Sequence, residues 1–122
     1  MKTDFTHDYR KEIEKYAAID GNGWLAEAFS RTTVLAYGFS RICGVYLPFL
    51  RLALIKPDEC EAVEFGTIVH ELRHAWQCRT WGITKYLFKK AFQRRKIEAD
   101  AEAEELKAVE WYAAPLAVYT AV

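Results

Sequence analysis

One string in the sequence is arranged for chemistry: His70-Glu71-Leu72-Arg73-His74. On an α-helix, side chains four residues apart are offset by about 40° and stand one turn above the other. Two imidazoles placed in that way can hold a single metal ion, each nitrogen at about 2.0–2.1 Å if the ion is zinc. Glu71 is rotated by about 100° from His70. It therefore points not along the same ray but towards a water in the open position of the ion, where a carboxylate serves as general base.

Two histidines leave a zinc ion in need of at least a third protein ligand. His7 is the only other histidine and reads as a solvated side chain near the start of a helix. Cys78 continues the histidine face by one turn, but three ligands spread over eight residues of a straight helix converge poorly, and a free cysteine is the better account. The acidic run Glu98, Asp100, Glu102, Glu104 and Glu105 remains. Its alanines at 99, 101 and 103 form a small-residue surface that another helix can approach closely. Glu98 and Glu102, stacked at four-residue spacing, suit a ligand and a further carboxylate that orients a histidine. Glu98 is the first candidate for the third ligand and Asp100 the second.

These residues need helices to present them. Pro57-Asp58-Glu59-Cys60-Glu61 reads as a helix start, with Asp58 as cap and Glu61 at the reciprocal position. That helix should run to about Arg79 or Thr80 and stop at Gly82, burying Phe65, Ile68, Val69, Leu72, Ala75 and Trp76 and leaving His70, His74 and Gln77 on a polar face. Further helices are expected over residues 4–18, around Trp24 to Ser30, from Ile83 to about Arg95, and from about Ile97 to Ala113, the last ending before Pro115. The stripe of that last helix is expected to be Ala99, Ala103, Leu106, Val109 and Ala113. From Thr32 to Ile55 the texture is that of two or three short antiparallel strands, the last running Leu50 to Ile55 with Leu50, Leu52 and Leu54 facing the core. A helix over 45–55 is the alternative.

The chain has 122 residues, 52% of them hydrophobic and 28% charged, which fits one globular domain over 1–122 and excludes a disordered chain. Lysine plus arginine equals aspartate plus glutamate at 17 each, which removes the simplest electrostatic case for a nucleic-acid or anionic-membrane binder. Cys43, Cys60 and Cys78 form no C-x-x-C pair. The opening residues lack the apolar core of a signal peptide, and the run Gly44–Leu50 is too short to span a bilayer. A cytoplasmic protein with no membrane association is the expectation.

Three more features bear on function. Lys85, Lys89, Lys90, Arg94, Arg95 and Lys96 form a basic stretch over 85–96 that could follow phosphates or hold acidic peptide side chains, or could simply be a solvated helix face. Tyr86 could offer its hydroxyl to an oxyanion, or be a core aromatic with a wet tip. The apolar stretch from Trp111 to Tyr119 could pack on the core or dock a protein partner.

With His70-Glu71-Leu72-Arg73-His74-Ala75-Trp76-Gln77, then Gly82 and Tyr86, then Glu98-Ala99-Asp100-Ala101, the chain resembles the gluzincin metallopeptidases, in particular the small single-domain minigluzincin type. The likeness covers roughly residues 40–106. It implies an α+β zincin-like fold, a short antiparallel sheet whose edge aligns an extended peptide, zinc (Zn2+) bound by His70, His74 and Glu98, and Glu71 as catalytic base. The expected activity is hydrolysis of peptide bonds in a peptide or protein substrate. The rival expectations are a nucleic-acid-binding module using the basic helix, and a protein-interaction module, each with zinc as a structural brace.

Overall fold

The computed structural model describes residues 4, 5, 7–37 and 42–120, the segment 115–120 by its backbone alone. Its elements are α1 (Arg10–Ala17), α2 (Gly23–Arg31), β1 (Thr33–Ala36), β2 (Gly44–Leu47), β3 (Leu52–Ile55), α3 (Glu61–Trp81), α4 (Ile83–Phe92) and α5 (Arg94–Thr120). The class is α+β, with the strands grouped between the first helices and the last.

The centre is α3, which packs against α2, α4, α5, β2 and β3. It shows no single buried stripe, because it is covered on nearly every side. Phe65, Ile68, Val69, Leu72 and Ala75 are buried as expected, with Trp76 half-buried. Glu64, Glu71, His74 and Gln77 are buried too, so the polar face of this helix lies in the interior. The start of α3 differs from a simple cap. Cys60 occupies the cap position without a side-chain bond. Asp58 lies two residues earlier, its Oδ1 accepting the Cys60 N–H at 2.8 Å, and the Asp58 N–H is bound by Glu64 Oε2 at 2.7 Å. The reciprocal partner of Asp58 is therefore Glu64 rather than Glu61. Fully buried Glu64 also accepts the Tyr9 hydroxyl at 2.7 Å, tying the N-terminal segment to α3. The helix stops at Gly82, whose φ of 85° is the left-handed conformation that glycine adopts without strain.

The sheet is mixed rather than antiparallel. Its strand order is β1-β3-β2, with β2 and β3 antiparallel and β1 and β3 parallel. Successive strands do reverse direction, but β3 inserts between β1 and β2, and a third strand in an up-down-up chain must run parallel to the first. The expected inward face is also inverted. Leu50 lies in the β2–β3 turn and is 69% exposed, whereas Ala53 and Ile55 are fully buried. Cross-strand rows Val34–Ala53–Tyr46 and Ala36–Ile55–Gly44 make that inner face. At its edge Gly44 lets α3 come close, since a Cβ there would stand 2.9 Å from Glu71.

The remaining corrections concern helix ends. The first helix begins at Arg10, not residue 4, because Asp8 Oδ1 accepts the Arg10 N–H at 3.1 Å and closes its first turn. The expected helix over 83–95 ends at Phe92, where Gln93 caps α4 and opens α5. Helix α5 continues through Pro115 to Thr120, since a proline removes one helical hydrogen bond without necessarily ending the helix. Its inward residues are Ile97, Ala101 and Ala108, followed by half-buried Trp111 and Tyr112. Ala99, Ala103 and Leu106 of the expected stripe are exposed. Trp111 and Tyr112 pack on Tyr16, Tyr9 and Phe65. The side chains from 115 onward, part of the suggested partner-binding tail, lie outside the described residues. No helix among the described residues is long and apolar enough to cross a membrane.

Candidate metal centre

His70 and His74 project from consecutive turns of α3 towards α5, their ring centroids 5.0 Å apart. Glu98, in the first turns of α5, meets both. Its Oε2 is 3.1 Å from His70 Nε2 and its Oε1 is 3.2 Å from His74 Nε2. Glu71 Oε2 stands 3.9 Å from His70 Nε2. The four residues singled out in sequence, His70, Glu71, His74 and Glu98, thus line one cleft. Ligand atoms of His70, Glu71 and His74 lie within 4.8 Å of one another, close enough to surround one ion.

Both imidazoles are held from behind. Glu105, two turns along α5 from Glu98, places Oε1 2.7 Å from His70 Nδ1. Gln77 places Oε1 2.9 Å from His74 Nδ1. The orientation of the Gln77 amide follows from its other contacts, because its Nε2 donates to the Ile97 carbonyl at 3.1 Å and to Asp100 Oδ2 at 2.9 Å. Its oxygen therefore faces His74, whose Nδ1 carries the proton and whose Nε2 presents a lone pair to Glu98. Asp100, the second candidate ligand, is instead turned to Arg73, which donates to its Oδ2 at 2.7 Å and Oδ1 at 3.1 Å. The Arg73 guanidinium lies over Trp76 and Trp24, at 3.9 and 4.8 Å from the ring centroids. Asp100 thus acts at one remove, through Gln77 on His74.

Close approach of the backbone is required at two glycines. A Cβ on Gly44 would stand 2.9 Å from both Cγ and Oε2 of Glu71, so β2 presents bare backbone against the proposed base. A Cβ on Gly66 would collide with Val109 and press on Glu105 at 3.3 Å, so this glycine sets the spacing of α3 and α5. Neither role is marked by local sequence. Glu105 could have been found from its seven-residue distance to Glu98, which repeats on one helix face; Glu102, the residue chosen for that task, is exposed.

Electrostatics match the geometry. Burial pulls His70 down, but the Glu105 hydrogen bond and the charges of Glu71, Glu105 and Glu98 outweigh it and hold the imidazole up at about 9. Burial lowers His74, keeping it neutral. Burial, assisted by Glu98 and Glu105 against the pull of His70, raises Glu71 to about 7. With His74 neutral, Glu98 Oε1 and the His74 Nε2 lone pair are both acceptors, a pair that a metal cation or a proton between them would satisfy. Two imidazole nitrogens and a carboxylate are a donor set that can hold a divalent transition-metal ion with an open position.

A cleft of about 390 Å3 opens on these groups, lined by Gly44, Val45 and Tyr46 of β2 and by Tyr86, Lys90 and Arg94. Tyr86 is buried, its ring 6.4 Å from that of His74, and burial pushes its hydroxyl well up, so it remains a proton donor. His7 lies elsewhere, bonded to Glu12 at 2.9 Å. Cys78 is buried as a free thiol and is not among the groups at the site. No protein-family model, curated protein or solved structure matches the chain.

Proposed function

We propose that the protein is a zinc-dependent metallopeptidase of gluzincin type on a zincin-like fold, hydrolysing peptide bonds. The observation that carries this reading is the facing pair of acceptors, Glu98 Oε1 and His74 Nε2, beside His70 and within reach of Glu71. His70, His74 and Glu98 would hold the zinc, whose Lewis acidity lowers the pKa of water and polarises a carbonyl. Glu105 and Gln77 keep both Nδ1 atoms protonated and both Nε2 atoms turned inward.

Glu71 acts as general base. It takes a proton from the attacking water and passes it to the nitrogen of the leaving amine. A carboxyl held near neutrality by burial is suited to both transfers, since it neither binds its proton too tightly nor releases it too early. The Tyr86 hydroxyl, kept protonated, can donate to the oxygen that gains charge. β2 is the end strand of the described sheet and borders the cleft, and an extended peptide added there would lie alongside Glu71.

The test pairs metal analysis with cleavage of a peptide library. The wild type should purify with about one zinc per chain and cleave. Glu71→Gln should keep the zinc and lose turnover by at least ~100-fold. Undiminished turnover in that variant removes the mechanism, and a wild type with no affinity for zinc removes the proposal.

A further inference from the structure

Two cations in the cleft wall make no ion pair among the described residues. Lys90, near the end of α4, is half-buried, and Arg94 opens α5 just beyond the break at Gln93. Both line the same cleft as His70, Glu71, His74 and Glu98. Among the described residues neither makes an ion pair, although three carboxylates share their cleft or lie behind it. The Lys90 charge bears on both Glu71 and His74, which places it near the reacting groups rather than at the rim.

The balance of charge has a consequence. A divalent ion held beside Glu71 and Glu98 would offset the carboxylates that line the cleft. Lys90 and Arg94 then leave the cleft with positive charge in excess. A long cationic side chain left unpaired beside a reaction centre is free to pair with what enters. Of the basic stretch only Lys90 and Arg94 line the cleft; Lys89 lies over the Trp81 ring, and Arg95 and Lys96 border a neighbouring surface hollow that Arg94 also touches. Two isolated cations above a floor of carboxylates suit one carboxylate better than a run of phosphates.

We propose that Lys90 and Arg94 are specificity residues that capture a carboxylate of the substrate, selecting peptides with an acidic side chain or a free C-terminus close to the scissile bond. This rests on the peptidase reading. An extended peptide advances about 3.3 Å per residue, so the captured group belongs to a residue within a few positions of the bond cleaved.

The test uses zinc-loaded full-length protein and matched internally quenched peptides. One arm compares glutamate with glutamine at each position flanking the cleaved bond. The other compares a free C-terminal carboxylate with its amide. One arm should show a preference in kcat/KM of about three- to tenfold for the charged member, identifying the source of the carboxylate. That preference should shrink in 0.5 M NaCl, and in Lys90→Glu/Arg94→Glu it should invert, favouring lysine-bearing peptides. Fluorescence anisotropy of labelled peptides on Glu71→Gln protein should give the same order for binding alone. Cleavage of charged and neutral members at equal rates in both arms overturns the proposal and leaves the peptidase reading intact. So does a preference that survives charge reversal. If no peptide is cleaved and none binds, the peptidase reading itself has failed. Tighter binding of a single-stranded oligonucleotide than of the acidic peptides would assign the cations to nucleic acid and overturn the proposal.

Discussion

The Glu105 carboxylate lies 2.7 Å from Nδ1 of His70, on the side of the ring opposite to Glu98. This one contact fixes the tautomer, the ring orientation and the basicity of a proposed ligand, from a residue 35 positions away. Such supporting carboxylates typically change metal affinity by about 10–100-fold. Glu105→Ala should therefore weaken zinc binding by roughly that factor in competition with a chromophoric chelator. Glu105→Gln, which keeps an acceptor oxygen, should lose less. Unchanged affinity in the alanine variant would show that the contact does not orient His70.

Gly44 tests the placement of the base separately from the metal. A Cβ there would stand 2.9 Å from Glu71 Cγ, and Cγ is not the free end of a flexible chain. Gly44→Ala should displace the carboxylate while leaving His70, His74 and Glu98 as they are. Turnover should fall by about 10–100-fold, as expected for a reacting group moved by a fraction of an ångström to an ångström. Zinc content, by metal analysis, should stay at the wild-type level. Loss of zinc together with turnover would mean that β2 shapes the ligand set and not only the base.

The contrast between these two residues shows what local sequence can carry. His70, Glu71 and His74 are legible because helical spacing alone places them, and the helix itself is announced by Gly82 and its apolar run. Glu98 is legible because its partner helix is near in sequence. Gly44 is not, since the only reason for its identity is a side chain 27 positions later that reaches it through the fold. The sheet fails for the same reason. Alternation along Leu50 to Ile55 defines two faces but not which one meets α3, and the small Ala53 won over the larger leucines. Strand order was equally hidden, because β3 inserting between β1 and β2 depends on long-range pairing.

Removal of the proposed metal should be costly to the fold as well as to the proposed activity. His70, His74 and Glu98 join α3 to α5, the most extensive helix contact in the protein, and without a cation the His74 lone pair faces a carboxylate. Zinc present at 1,000 times its Kd would add about 4 kcal/mol, or on the order of 10 °C in Tm for a chain of this size. Differential scanning calorimetry with and without a chelator reads this directly. His74→Ala should unfold at a lower temperature that the chelator no longer changes. A wild-type Tm indifferent to chelation would place the ion outside the fold's stability.

Asp100 supplies the pH dependence. Burial alone would raise its carboxyl, but hydrogen bonds from Arg73 and Gln77 and the Arg73 charge outweigh burial and hold it below its ordinary value of 3.8. A carboxyl depressed in the fold contributes stability that is complete above the unfolded-state value and is lost as pH falls through the folded one. Asp100→Asn removes that contribution at neutral pH and has none to lose in acid. Urea midpoints of the two chelated proteins should therefore differ most at pH 6–7 and converge as the pH drops below about 4. The Asp100 side chain is 39% exposed, so screening keeps the gap modest. A gap that stays constant from pH 7 to pH 3 would mean that Asp100 acts only through its shape, by seating the Gln77 amide against His74, and not through its charge.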